Sequence, residues 1–424
     1  ATARRIAIVC AALAAGNLMV AGAVLWAVYG PGGGATLMDF GALWAAGVLA
    51  LQGDAAAAYD LAAVTAVQSE ALGAPYAREM HWLYPPVLQL ALTPLGALSL
   101  PVAQAVWTLA TLALYLAVAC ALVPRPVALA AALAPTPAIM MLAGGQTGFL
   151  TAGLAGLALV ALARGGTRRE AWAGAAVALL ACIKPPLALA LPLVLLWAGR
   201  WRALAWAAGT GMAALAATTA AFGPSIWPAF AGGVADAVAN FGRAGTDDLF
   251  ATLERALQTM GVAASTATVA QAALSLGAVA ALLGARQLAP GGAWGDGLTA
   301  PWQRVDGAPW AGGRVLGPAA LALAGYAAAV VTPRVMEYDL LLLVPAALLH
   351  ARHAAATGGV RAVETTALAL ALALPAVDFW IGLPLGWIVA PMLMAALILG
   401  ERARAADPGS RAGAARAPSG RTMG

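Results

Sequence analysis

Apolar residues run along this chain in long stretches separated by short polar or proline-rich connections. Segments 6–29, 83–98, 101–123, 126–142, 147–163, 171–183, 186–198, 203–222, 262–285, 315–332, 338–350, 361–376 and 380–399 read as helices. A membrane-crossing helix needs about 20 apolar residues, fewer where protein packs around it. Several of these segments are short, and Pro85, Pro86, Pro94, Pro135, Pro137, Pro185 and Pro186 interrupt them. Broken helices survive at membrane depth only where protein or a water-filled cavity covers the exposed backbone. The pattern predicts an all-α, polytopic transmembrane bundle.

Composition removes the soluble alternative. Of 424 residues, 62% are hydrophobic and 10% charged, against roughly 45–50% and about 25% in soluble domains. So little charge cannot clothe a globule of this size. Disorder, nucleic-acid binding and a secreted disulfide scaffold are excluded with it. Cys10, Cys120 and Cys182 all lie inside apolar runs and show no disulfide or metal spacing, so they read as small hydrophobes. Arg4 and Arg5 precede an apolar core as in a signal peptide, but the run continues to Tyr29. An uncleaved first span is the expectation.

Arginine placement orients the spans, because basic loops stay cytoplasmic. Arg4–Arg5, the 164–169 run, Arg200 with Arg202, Arg352 to Arg361 and the arginines of the tail belong inside; the net charge of +5 resides largely in that tail. Segment 30–82 belongs outside, with Asp39, Asp54, Asp60, Glu70 and Glu79 against Arg78. If every segment crossed, the 164–169 run would fall outside, so 126–142, interrupted by Pro135 and Pro137, is expected to be re-entrant or half-spanning. About twelve helices then cross within a single domain over 1–400, with both termini cytoplasmic. Interfacial helices occupy the first outer loop, 30–82, and 223–261 is the second outer loop. Segment 286–314 is a mobile inner linker, and 401–424 a disordered basic tail facing anionic lipid.

Candidate chemistry gathers on the outer face. Lys184 is the only lysine and sits at the Ile183-Lys-Pro-Pro186 break. An intramembrane ammonium is costly and by default functional. It would hold a lipid phosphate, or snorkel from a helix end. Asp39 precedes Phe40, Leu43, Trp44, Val48 and Leu51 at helical spacing, predicting an amphipathic interfacial helix over 40–52. Asp39 is either its N-cap or a general base at the membrane edge. Trp82 and Tyr84 read as interface anchors, and His81 as a loop residue or a substrate contact. Gln146, in Gly144-Gly-Gln-Thr-Gly148, would satisfy re-entrant backbone or bridge sugar hydroxyls. In Thr332-Pro-Arg-Val-Met-Glu-Tyr-Asp339, Thr332 and Pro333 would start a helix. Arg334 and Glu337 would pair three residues apart, or Tyr338 and Asp339 would face the cavity of Asp39.

In their order and spacing these residues resemble glycosyltransferase family 87, bacterial membrane enzymes of the C-type glycosyltransferase superfamily. The elements are Asp39-Phe40 to Trp44, Gly53-Asp54, Tyr59-Asp60, Tyr84-Pro-Pro86, Pro94-Leu95, Leu100-Pro101 and Trp107. Gly145-Gln146, Ile183-Lys-Pro185, Gly199-Arg-Trp-Arg202 and Thr332-Pro333 continue the likeness, over about 38–350. The resemblance implies an inverting transferase of the bacterial inner membrane. Its donor would be a polyprenyl-phosphate hexose, often mannose, and its acceptor a glycolipid or glycan on the extracytoplasmic face. Asp39 matches the family's acid in the first outer loop. Tyr338 stands where some members carry a His after the Ser/Thr-Pro element. Lys184 would bind the donor phosphate with Arg243 or Arg334, and Tyr59, Asp60, His81, Tyr84, Gln146, Glu337, Tyr338 and Asp339 would contact substrate. A monomer without cofactor or metal is expected, because a monophosphate leaving group asks for less charge than a pyrophosphate. A lipid flippase or carrier is the rival reading, disfavoured by the lack of an evident internal repeat. A second rival is a non-catalytic membrane subunit in which Asp39 is only a cap.

Overall fold

The computed structural model describes residues 2–30, 39–76, 81–240, 250–284, 317–332 and 335–406. It begins with α1 (Thr2–Tyr29), α2 (Phe40–Leu51), a 3-10 turn (Ala55–Tyr59) and α3 (Leu61–Leu72). Then come α4 (Pro86–Leu92), continued by a 3-10 turn (Thr93–Ala97), α5 (Leu100–Leu122), α6 (Arg125–Leu133), α7 (Pro137–Gly144) and α8 (Gly148–Arg164). Next are α9 (Thr167–Ile183), α10 (Pro185–Ala188), α11 (Ala190–Trp197), α12 (Trp201–Phe222), α13 (Ile226–Asn240), α14 (Leu253–Thr259) and α15 (Ala264–Gly284). The chain ends with α16 (Pro318–Val331), a 3-10 turn (Glu337–Leu342) running into α17 (Leu343–Ala356), α18 (Ala362–Ile381) and α19 (Gly386–Ala406). Among the described residues the one extended pairing is an isolated bridge between Phe250 and Met336.

Among the described residues, seven helices are long and apolar enough to cross a membrane unaided, or eight spans if the bent α6–α7 pair counts as one. That is fewer than the twelve expected; the remaining candidates are short. Burial sorts the long ones: 11% of the α12 window is covered by protein but 67% of Glu337–Ala356. The first is perimeter facing lipid and the second is core. Every residue from Pro318 to Val330 in α16 is buried, most of them Ala or Gly. Lipid offers helices no hydrophobic drive to associate, so close backbone approach does the work. At Gly325 a Cβ would come within 2.7 Å of the Ala346 Cβ of α17.

Hydrogen bonds show which helix ends lie together. Arg164 Nη2 donates to Ala121 O (2.7 Å) and Arg352 Nη1 to Leu122 O (2.6 Å), joining the C-terminal ends of α5, α8 and α17. Arg200 pairs with Glu170 at 2.8 Å beside the start of α9. At the opposite end, Tyr29 Oη donates to Gln104 Oε1 (2.5 Å), Gln104 Nε2 to Ala143 O (2.6 Å), and Thr332 Oγ1 to Pro186 O (2.8 Å). These are the arginine end and the site end of the bundle.

Three sequence expectations change here. The α6–α7 pair, bent by 87°, leaves α5 at the arginine end and finishes against Gln104 at the site end, so 126–142 passes through the bundle. Segment 83–98 does not. Tyr84 starts it at the site end, and its last residue, Leu98, accepts from Trp44 Nε1 (3.0 Å) before α5 begins near the same end. The helical stretch Pro86–Ala97 covers only about 18 Å at 1.5 Å per residue, well short of a bilayer. Gly47 and Gly96 press its backbone onto α2: a Cβ on Gly47 would sit 2.6 Å from Leu92 O.

Second, α2 is not an interfacial helix with one wet face; Phe40, Ala42, Leu43, Ala45, Ala46 and Leu49 are all buried. Its Ala and Gly positions let neighbours cover both sides. Trp82 is likewise buried, not an interface anchor, with its ring 5.2 Å from the half-buried Tyr84. Third, the expected tail does not start at Glu401: α19 continues to Ala406, with Arg404 buried. Thr332 closes α16 and does not open a helix. Segment 286–314 and residues 407–424 lie outside the described residues.

Candidate active site

The break at Lys184 follows from its neighbours. Pro185 and Pro186 cannot continue the hydrogen bonding of α9, so the chain turns at Lys184 (φ −142°, ψ 77°) and restarts as α10 with proline at its first positions. The side chain goes inward instead of snorkelling, and is 14% exposed. Lys184 Nζ donates to both carboxylate oxygens of Asp339 at 2.7 Å. It lies 3.4 Å from Tyr338 Oη and 4.5 Å from the centre of that ring. Asp339 is fully buried and also accepts from Met336 N (3.1 Å), which fixes the turn that presents Tyr338. A buried carboxylate without a cation would be costly, so each charge holds the other in place.

Asp39 occupies the N-cap position of α2, but its side chain caps nothing there. Its Oδ2 accepts instead from Gln146 Nε2 (3.1 Å), 107 residues away in sequence. The glycine turn makes this possible. Gly145 ends α7 at φ +68°, and a Cβ there would press to 2.7 Å from the Phe40 Cβ. Gly148 opens α8 directly against Tyr338 O, which a Cβ would approach to 2.8 Å.

Tyr84 joins the two halves. Its hydroxyl donates to Gln146 Oε1 (3.1 Å), and lies 3.1 Å from Thr147 Oγ1 and 3.5 Å from Tyr338 Oη. A continuous polar path thus runs from Asp39 through Gln146, Tyr84 and Tyr338 to Lys184 and Asp339. Tyr59 braces it from behind, its hydroxyl donating to Tyr84 O (3.0 Å) and its ring packed 5.6 Å from Phe230 of α13. Burial pushes the Tyr59 phenol up, so it stays a donor.

Other expected residues go elsewhere. Asp60 is an exposed N-cap of α3, accepting from Ala62 N (2.9 Å). Glu337 turns away from Lys184 and hydrogen-bonds Asp378 of α18, whose carboxylate also accepts from Gly386 N (2.8 Å). His81 is half-buried and joins none of these contacts. Arg243 and Arg334 lie outside the described residues. Thr147 was not singled out from sequence, although it is wholly buried against Tyr84; its place beside Gln146 in the glycine turn was the available signal. Among the described residues, no group of three His, Cys, Asp or Glu converges in the manner of a metal site.

A family model described as glycosyltransferase family 87 matches residues 82–300. The chain belongs to glycosyltransferase family 87. It is therefore a membrane glycosyltransferase whose partners include a sugar donor and an acceptor. The matched span holds Tyr84, Gln146 and Lys184 of the polar path; Asp39, Tyr338 and Asp339 come from outside it and are added by the fold. Neither the curated proteins nor the solved structures contain a match to the chain.

Proposed function

We propose that this family 87 member moves a hexose, mannose first among the candidates, from a polyprenyl-phosphate donor to a lipid-linked or glycan acceptor, with inversion. The observation that supports this most directly is the single polar path linking Asp39 to Lys184. The chemistry needs a base at the acceptor hydroxyl and positive charge at the departing phosphate, and the path holds one at each end. The acceptor oxygen forms a bond to the anomeric carbon as the bond from that carbon to the phosphate oxygen breaks. The hydroxyl proton passes to Asp39, and polyprenyl phosphate leaves. Asp339 aims Lys184, and the Tyr338 hydroxyl beside it is placed to donate to the phosphate oxygens. Gln146 orients Asp39.

The site end lies opposite the arginine-rich end, so the positive-inside rule assigns it to the extracytoplasmic face of the bacterial inner membrane. Short helices such as α8, α9 and α10–α11 complete the proposed twelve crossings, sheltered by protein. The monomer and the absence of a metal requirement are part of the same proposal. Purified protein in excess chelator, given a panel of polyprenyl-phosphate sugars and lipid extract, is expected to release free polyprenyl phosphate together with a glycosylated product of inverted configuration. Movement of lipid with no covalent change would instead support a carrier, and turnover restored only by divalent metal would refute the metal-free step.

A further inference from the structure

The turn that presents Tyr338 and Asp339 to Lys184 is held from behind by two acids. Glu337, from the 3-10 turn, and Asp378, from α18, are each 7% exposed and hydrogen-bond each other. Asp378 Oδ2 also accepts from Gly386 N (2.8 Å), and a Cβ on Gly386 would stand 2.9 Å from that oxygen, so the start of α19 closes over the pair. Two carboxylates repel, and a carboxylate only accepts; a hydrogen bond between them exists only when one carries a proton. The pair therefore holds one proton and one negative charge.

Among the described residues no cation takes the proton's place. On the front of the turn Lys184 is engaged by Asp339 at 2.7 Å, and Tyr84 faces Tyr338. Across the Phe250–Met336 bridge, α14 carries Glu254, which accepts from Thr268 Oγ1 (2.6 Å), and Arg255, which acts on neither carboxyl. Helices α7 and α15 have no ionisable side chain. On α8, α16, α17, α18 and α19 the nearest others are Arg164, Tyr326, His350, Glu364 and Glu401, all towards the arginine end.

The turn itself is short and tightly bonded. Ala251 N donates to Val335 O (2.7 Å), Asp339 N to Met336 O (2.9 Å) and Met336 N to Asp339 Oδ2 (3.1 Å). A displacement of Glu337 therefore carries its neighbours Tyr338 and Asp339 with it. We propose that Glu337 and Asp378 are positioning residues for donor binding: their shared proton holds the turn in the shape that aims Lys184, and donor affinity falls as rising pH removes it. This rests on the reading of Lys184 as the ligand of the donor phosphate. The closed turn binds a proton that the loosened turn gives up, so each rise in pH favours the loosened form.

Glu337→Gln separates the proton from the hydrogen bond, because its amide donates to Asp378 as the protonated acid does and has no proton to lose. Glu337→Met removes the bond. Full-length protein in nanodiscs is titrated with polyprenyl-phosphate mannose, whose phosphodiester does not ionise further, from neutral pH into alkali; thermal unfolding and infrared spectra are recorded alongside. The wild-type dissociation constant is expected to rise with pH by up to about tenfold per unit, the limit for one linked proton. Glu337→Gln is expected to bind like the wild type at neutral pH, to keep its affinity and unfolding temperature into alkali, and to lose carbonyl intensity of a protonated carboxylic acid. Glu337→Met should bind weakly at every pH. An alkaline weakening that Glu337→Gln shares overturns the proposal, since the titrating group is then Lys184 or a tyrosine; so does an undiminished carboxylic-acid band. A wild type that binds no donor at any pH refutes the donor reading and with it the positioning role, while the band and the unfolding temperature still show whether the proton is shared.

Discussion

The bundle carries a buried polar cluster at each end, and the two are built differently. At the arginine end, Glu364 accepts from Arg404 (2.9 and 2.7 Å) and from Arg361 N (2.8 Å), with His350 Nε2 at 2.9 Å. Glu401 meets Arg404 Nε and His353 Nε2, each at 2.9 Å. Glu364 and His350 are completely shielded. Two acids share the cations between them, and the bonds tie α17, α18 and α19 together. At the site end the groups are strung out in a line, and Asp39, Gln146, Tyr84 and Lys184 remain partly exposed. A closed cluster fixes helices; an exposed line of charges and hydroxyls is available to a ligand. Polarity in a membrane interior thus has two uses, and exposure separates them.

The comparison breaks most sharply at Asp39. Asp39→Asn is expected to lower kcat by about 10³-fold while leaving thermal unfolding in detergent unchanged; a variant retaining near-normal turnover removes Asp39 from the role of base. The mirror experiment is Arg404→Met, which strands Glu364 and Glu401. Loss of about 3–5 kcal/mol of stability, with normal turnover per folded molecule, is the expected result. If activity per folded molecule fell with stability unchanged, the closed cluster would not be a structural staple.

Lys184→Met sharpens the division, because Lys184 serves both purposes. Donor KM is expected to rise at least tenfold, with some destabilisation from the unpaired Asp339. Adding Asp339→Asn should restore stability without restoring donor affinity, and recovery of both would reduce Lys184 to a structural ion pair. The smallest effect is expected at Gln146→Ala, about tenfold in kcat for the loss of a hydrogen bond to a charged group, read from the kcat-to-KM split. A change confined to KM would instead make Gln146 a substrate contact.

Asp39, Lys184, Gln146 and Tyr84 were legible in the sequence because each is anomalous where it stands: an acid beside a hydrophobic helix, a lone lysine before two prolines, a polar residue in a glycine turn, a tyrosine before two prolines. The same criterion also singled out Asp60 and Glu337, which the fold places off the polar path. They too are anomalous locally, yet one caps α3 and the other bonds Asp378. It also passed over Thr147 and Asp378, whose surroundings along the chain look ordinary. The parity of the arginines required one hydrophobic segment not to cross, and the prolines of 126–142 made it the choice, whereas the fold leaves both ends of 83–98 at the site end. Close approach at Gly47 and Gly96 holds that stretch against α2.

Hydropathy and charge by themselves determined a helical membrane protein and a sided distribution of arginine, because the bilayer acts on each segment independently of its neighbours. Which polar residues meet was decided only in three dimensions. Asp39 finds Gln146 across 107 positions and Lys184 finds Asp339 across 155. Such partnerships depend on how close two backbones can approach, which small residues on several helices set jointly and no local stretch of sequence records.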